Sequence, residues 1–152
     1  MSRLNSLFGA LLLFFLPAAG HAQTPVDTPP EMNVAIFLGT VAERADSKSS
    51  AQMSKELSRV FESRGIKHFY QLGVQSLRFK DSKSGVVTLP SGQKAYFDFK
   101  GKTGPHHLFA LRLPEFGVSA ILHVPLNRVF YQAGIQHAGG TLILRIRTRL
   151  TE

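Results

Sequence analysis

The chain has 152 residues, no cysteine and a formal net charge of +8 at pH 7, with 18 lysines and arginines against 10 acidic residues. This length suits one ordinary domain that buries its own core. The lack of cysteine excludes disulfide bonds and thiol redox switching. The basic excess favours anionic partners, whether acidic lipid head groups, phosphorylated glycans or an acidic protein surface.

The N-terminus has the three-part layout of a secretory signal peptide. Arg3 supplies a positive charge, residues 7–16 (LFGALLLFFL) form an apolar run, and Pro17 introduces small residues that end at Ala22. The run is ten residues long, whereas a membrane-spanning helix needs about 20. The sequence therefore predicts a signal peptide over residues 1–22 that is cleaved near Ala22, and an uncleaved anchor is the alternative.

A cleaved chain would be periplasmic or secreted, without a transmembrane anchor. Loss of Arg3 leaves 18 − 1 = 17 basic residues against 10 acidic ones, a net charge of +7. Export argues against nucleic acid as the partner of this charge. Residues 23–31 (QTPVDTPPE) read as a proline-rich linker, which leaves residues 32–152 as a single globular domain.

The first elements predicted after the linker are a strand and a helix. Asn33 to Val41 is apolar and β-prone, which is typical of a buried strand. From Ala51 to Arg64, apolar residues recur at spacings of three and four, which predicts an amphipathic helix that ends at Gly65, with Ser49 or Ser50 as its N-cap. If the strands on either side of this helix pair in parallel, they form a βαβ unit.

After Gly65 the hydrophobic period changes to two, which indicates short strands separated by turns. The predicted strands are residues 67–72, 74–79, 85–89, 94–100, 107–113, 118–124, 128–135 and 141–149. We therefore predict an α+β fold in which one amphipathic helix packs on a mostly antiparallel β-sandwich or sheet, with an N-terminal βαβ unit.

The last predicted strand carries three arginines. Arg145, Arg147 and Arg149 alternate with apolar residues, so their side chains share one face. Guanidinium groups in a row suit phosphate or carboxylate groups, which predicts an anion- or partner-binding surface. The alternative is that charged side chains protect a terminal edge strand against aggregation.

An aromatic pair beside a cation is a second candidate contact surface. Tyr131 follows Phe130 and lies close to Arg128 among mixed polar residues, a composition found at the centre of interfaces. Arg128 and Tyr131 are therefore added to the predicted binding residues. The alternative is that both rings belong to the core.

Motifs for catalysis, metals and cofactors are not found in the sequence. The histidines lack the H-x-x-x-H and H-E-x-x-H spacings of zinc sites, and no G-x-S-x-G turn is present. Asp98 is the one acid placed within a predicted strand, where alternation favours an outward, solvated position. The sequence thus predicts no catalytic residue, no metal site and no cofactor.

The order of elements resembles small exported domains of bacterial envelope proteins whose function is not known. The resemblance rests on Phe69-Tyr70-Gln71-Leu72, a hairpin at Leu89-Pro90-Ser91-Gly92 and a closing strand that begins Gly139-Gly140-Thr141, and it covers most of residues 33–149. It implies a fold and an envelope location, and it supplies no active-site residue.

We expect a non-enzymatic periplasmic module for binding or assembly. It would contact a protein or an anionic envelope component through the edge and outer face of its sheet. The alternative is a small hydrolase or metal-dependent enzyme whose site is assembled from distant residues, with Asp98 and at least two histidines in one pocket.

Overall fold

A computed structural model describes residues 29–45, 51–80 and 82–150 of the chain. They form eight β-strands, one α-helix and two short 3₁₀ turns, and the predicted β-rich architecture is confirmed. The strands are β1 (Pro30–Thr40), β2 (His68–Arg78), β3 (Ser84–Thr88), β4 (Lys94–Thr103), β5 (His106–Leu113), β6 (Val118–Pro125), β7 (Val129–His137) and β8 (Gly140–Leu150). The helix α1 spans Ala51–Phe61, and the 3₁₀ turns span Glu62–Arg64 and Pro114–Phe116.

The strands form two four-stranded antiparallel sheets. The first, sheet A, has the strand order β2-β1-β8-β7, and the second, sheet B, has the order β3-β4-β5-β6. Sheet B is a simple meander in which each strand pairs with the next along the chain. The centre of sheet A pairs the first strand with the last, so both ends of the chain's β-structure are fixed in one ladder.

The predicted βαβ unit is wrong. β1 and β2 pair antiparallel, and Thr40 at the end of β1 lies opposite His68 at the start of β2. A parallel crossover must return the chain over the whole length of the first strand. α1 has 11 residues and so spans about 16 Å, whereas the 11 residues of β1 span roughly 36 Å. The helix covers less than half of that distance, and the chain instead enters β2 beside the end of β1.

The main core lies between the two sheets. Met32, Val34 and Ile36 of β1 point into it from sheet A, as the two-residue period of a strand requires. Sheet B contributes an aromatic cluster in which the rings of Phe99 and Phe109 lie 5.4 Å apart between centroids. One buried cluster therefore joins both sheets.

A second, smaller buried cluster lies on the other face of sheet A. Leu57 and Phe61 of α1 meet Phe37, Phe69 and Ile143 of the sheet there. β1 and β8 are consequently buried on both faces at this end. That burial explains why residues 34–40 read as a continuous apolar run rather than an alternating one, whereas Val41 lies beyond β1 and is exposed.

Three local predictions have different outcomes. Gly65 adopts the left-handed conformation with φ of 71°, as predicted for the residue that ends the helical segment. β1 begins at Pro30, so Pro30 and Glu31 of the predicted linker belong to the strand. The predicted signal peptide, residues 23–28 of the linker and the serines proposed as helix cap lie outside the described residues.

No helix in the described part of the chain is long and apolar enough to cross a membrane.

Candidate functional site

The predicted arginine ladder lies on a central strand. β8 pairs with β1 on one side and with β7 on the other. The alternative that Arg145, Arg147 and Arg149 protect a free strand edge is therefore wrong, because the edges of sheet A are β2 and β7. The outward face of β8 remains as the setting of these side chains.

Arg145 and Tyr131 both contact the helix. The Tyr131 hydroxyl donates a hydrogen bond to the Glu56 carboxylate, and Nε of Arg145 lies 3.5 Å from the same Oε1. The Tyr131 ring also meets Phe61 edge to face at 5.9 Å between centroids. These two members of the predicted binding set thus connect sheet A to α1.

The environment of Tyr131 raises the pKa of its hydroxyl to about 12, first because the group is withdrawn from water and second because it donates to Glu56. An unfolded tyrosine ionises near its ordinary pKa of 10.0. The unfolded state therefore releases its proton first as the pH rises, and the stability contributed by this group is complete below pH 10 and is lost toward pH 12.

We expect Tyr131→Phe to flatten the decline of unfolding free energy between pH 10 and 12, measured by urea denaturation at several pH values. Tyr96→Phe is the matched control, because Tyr96 lies on the outward face of sheet B and its hydroxyl donates no hydrogen bond to a carboxylate of the described residues. Equal pH profiles for Tyr131→Phe and the parent protein would contradict the assignment.

The predicted Phe130–Tyr131 contact surface is divided between two faces. Phe130 packs against the main core and Tyr131 against the second cluster, as successive residues of a strand must. Their positions match the core alternative. Arg128, in the connection before β7, is exposed and has no side-chain ion pair within the described residues.

The outer end of the ladder continues across sheet A. Glu31 of β1 lies opposite both Arg149 of β8 and Arg78 of β2. Its carboxylate is 3.0 Å from the Arg149 Nε and 3.6 Å from the Arg78 Nε. Arg147 is exposed on the same face and has no ion pair with the described residues. This row holds three arginines and one carboxylate.

A cleft opens beside the connection from β2 to β3, where the chain passes from sheet A to sheet B. It has a volume of about 860 Å³. Among the described residues, its charged lining consists of Lys80, Lys83, Lys100 and Arg112 with Asp98. Four positive groups and one negative group give these described side chains a net charge of 4 − 1 = +3.

Asp98 organises one wall of this cleft. It is on β4, and it accepts a hydrogen bond of 2.6 Å from the Ser84 hydroxyl of β3 and one of 3.0 Å from the Arg112 guanidinium of β5. The Ser84 hydrogen bond and the nearby Arg112 charge hold the pKa of Asp98 below its ordinary value of 3.8. The negative charge of Asp98 is thus balanced by Arg112, and its side chain is only 16% exposed.

The remaining cations of the cleft are not neutralised in this way. Lys80, Lys83 and Lys100 are exposed, and none has an ion-pair partner within the described residues. Asp81, which lies between two of them in sequence, is outside those residues. Arg112 also lies over the Tyr96 ring, 5.5 Å from its centroid, where the face of the ring attracts the guanidinium. The cleft can therefore offer several charged donors to one anion.

The sequence interpretation did not identify the three lysines. Lys80 and Lys83 are three residues apart in a connection, and Lys100 ends an alternating strand. The available signal was a basic turn sequence, residues 78–83 (RFKDSK), that follows a strand directly. Without the pairing of β3 with β4, nothing joined this turn to Lys100.

The histidines separate into different environments. His107 is buried, with Nδ1 3.3 Å from the Thr148 hydroxyl, and its ring packs edge to face on Phe99 and Phe109. His106 points to the opposite face, where its ring lies 6.4 Å from that of His123. In the described segments, no three histidine, aspartate or glutamate side chains are grouped to hold a metal ion.

Comparison with known proteins gives no match: no family model, no curated protein and no solved structure is significantly similar to this chain.

Proposed function

We propose that this protein is a non-enzymatic binding module that acts outside the cytoplasm and recognises an anionic component of the cell envelope through the cleft of Lys80, Lys83, Lys100 and Arg112. The observation that carries the proposal is the charge of that cleft. Its one described acid is already bound by Ser84 and Arg112. The three lysines line the cleft and have no ion-pair partner among the residues that the structure describes.

The chemistry of the cleft favours binding over catalysis. Asp98 is held ionised by its partners and donates no proton at neutral pH. No histidine is among the residues that line the cleft, so the hydrolase alternative, which needed Asp98 and two histidines together, gains no support there. A set of fixed cations can instead hold phosphate, sulfate or carboxylate groups.

Predicted export supports an envelope ligand, because the net charge of +8 would otherwise suggest nucleic acid.

We further infer that α1 packs on the outer face of sheet A at one end. Leu57 and Phe61 supply its apolar contacts with the sheet, and Glu56 of the helix contacts Tyr131 and Arg145. Arg147 and Arg149 lie on the same face of the sheet beyond α1 and are exposed.

The test is calorimetric titration of the purified protein with inorganic pyrophosphate. We expect binding that Lys83→Ser/Lys100→Ser weakens about five- to thirtyfold, since two partly exposed ion contacts contribute roughly 1–2 kcal/mol. The control is Lys55→Ser/Lys67→Ser, which removes the same charge from two exposed lysines outside the cleft.

The control variant should bind pyrophosphate within about twofold of the parent protein, as expected for charges beyond the screening length. Equal losses in the two variants would mean that net charge alone attracts the anion. That outcome, or no binding by the parent protein at physiological salt, would contradict the proposed site.

A further inference from the structure

The cations of the cleft continue onto the outer face of sheet A. Arg78 is the last residue of β2, and Lys80 and Lys83 follow it in the connection that leads to sheet B. Pro29 lines the cleft, and two residues later Glu31 holds Arg149 and Arg78. The backbone N–H of Phe79 donates to the Pro30 carbonyl at 3.3 Å, which fixes these two segments side by side.

We infer that a linear polyanion, a chain whose repeating units carry phosphate, sulfate or carboxylate groups, binds along this band from the cleft to Arg147. The inference rests on the proposed function and names its ligand class. The band, hereafter the cationic band, consists of Arg147, Arg149, Arg78, Lys80, Lys83, Lys100 and Arg112.

The charge along the cationic band stays positive. It has seven cations against Glu31 and Asp98, a sum of 7 − 2 = +5, or +4 when Asp81 is counted from the sequence. Both described acids are bound by arginines of the band. They position the guanidinium groups, and they do not form a separate negative patch.

The dimensions favour a polymer over a small anion. Arg149 of β8 and Arg78 of β2 lie on the two strands that flank β1, so they are about 10 Å apart. The two packed sheets are separated by a further 10 Å or so. A single phosphate reaches across a few ångströms and satisfies one part of the band. Contact with both ends requires a chain on the order of 30 Å long.

The shape favours a polymer over a membrane. Arg147 and Arg149 lie on the outer face of sheet A, whereas Asp98 and Arg112 lie on the outer face of sheet B. These faces point in opposite directions, and Lys80 and Lys83 lie on the connection between them. A flat surface would touch one face at a time, while a flexible chain can bend around the edge.

The experiment compares pyrophosphate with long-chain polyphosphate, using the parent protein and Arg147→Ser/Arg149→Ser. We expect the long chain to bind at least tenfold more tightly than pyrophosphate. We expect the arginine variant to lose about five- to tenfold of its affinity for the long chain and none of its affinity for pyrophosphate. The salt dependence should also weaken, with the slope of log K against log salt falling by between one and two.

The matched control is Arg59→Ser/Arg64→Ser, two exposed arginines at the end of the α1 segment outside the band. It should keep the parent affinity for the long chain. Each substitution is at an exposed position, so we expect both variants to fold. Thermal unfolding of the two variants checks that the comparison uses folded protein.

Titrations with heparin and polyglutamate identify which anionic group is preferred. Length-dependent binding to any of these polymers, with the same loss of affinity in the arginine variant, supports the inference. A long chain that binds no more tightly than pyrophosphate, or that ignores the arginine substitutions, overturns it and leaves the cleft proposal standing. Vesicles of anionic phospholipid that bind with the same arginine dependence would overturn it in favour of a membrane surface. Polymer binding that ignores Lys83→Ser/Lys100→Ser would contradict the cleft itself.

Discussion

Phe109→Ala is expected to destabilise the protein by about 3–5 kcal/mol, because it removes a large ring from a site that cannot collapse. Phe109 is 0% exposed, and its ring centroid lies 5.2 Å from that of Phe79 and 5.4 Å from that of Phe99. It also contacts the buried His107 ring. The substitution would leave a cavity where the strands of sheet B meet the β2–β3 connection.

The measurement is urea denaturation followed by circular dichroism, with Ile121→Ala as the control. Ile121 is on the neighbouring strand β6, but it points outward and is 58% exposed. Its truncation should change the unfolding free energy by less than about 1 kcal/mol. A loss below about 1.5 kcal/mol for Phe109→Ala would show that the aromatic cluster is not the close-packed centre of the core.

Most strands could be predicted from the sequence because their alternation and their turn residues agree. Residues 94–100 are predicted as a strand from their period of two, and the alternate apolar residues Ala95, Phe97 and Phe99 do face the core. Gly85 to Leu89 and His107 to Leu113 are likewise strands within one residue of their predicted bounds. Local patterns fix such elements without knowledge of their neighbours.

Gly73 shows where a local pattern was given the wrong meaning. Two strands were predicted on either side of it, whereas β2 runs continuously from His68 to Arg78. The pairing with β1 shifts between Ile36 and Phe37, opposite Gly73 and Gln71, so one residue of β2 is extra. A glycine inside a strand pattern marks such a bulge as readily as a turn.

Pairing between strands is the information that the sequence lacked. The direction of β2 relative to β1 depends on how far the helical segment returns the chain, and periodicity does not encode that distance. The same lack of pairing information left the cleft unpredicted. Asp98 points outward as expected, but the expected solvated position is wrong, because its side chain is only 16% exposed and is bound by Ser84 and Arg112. The register that places Ser84 opposite Asp98 is a property of the folded sheet.

The arginine ladder illustrates the same point for function. Alternation correctly put Arg145, Arg147 and Arg149 on one face, yet their surroundings differ completely. Arg145 is beside Glu56 of the helix, Arg149 is beside Glu31, and Arg147 has no described ion-pair partner. Of the three arginines, Arg145 therefore makes a contact within the fold, whereas Arg147 and Arg149 are outward cations. These two extend the basic surface of the cleft.

Gly140→Ala is expected to be strongly destabilising, because the last strand approaches the first too closely for a side chain. A Cβ at Gly140 would lie 2.5 Å from the Gly39 carbonyl oxygen and 2.9 Å from side-chain carbons of Leu38 and Thr40. The carbonyl belongs to β1, which is hydrogen-bonded on both sides, so it cannot move without disturbing the centre of sheet A. We expect a loss of about 3 kcal/mol, at the upper end of overpacking costs.

Gly73→Ala is the matched control for this prediction, since a Cβ at Gly73 meets nothing within 4 Å in the same sheet. It should leave the unfolding free energy within about 0.5 kcal/mol, or raise it slightly through a stiffer unfolded chain. Thermal unfolding should therefore separate the two alanine variants by roughly 10 °C. Equal melting temperatures would mean that β8 can shift away from β1, and the close pairing of the first and last strands would then not be what holds the two ends of the fold together.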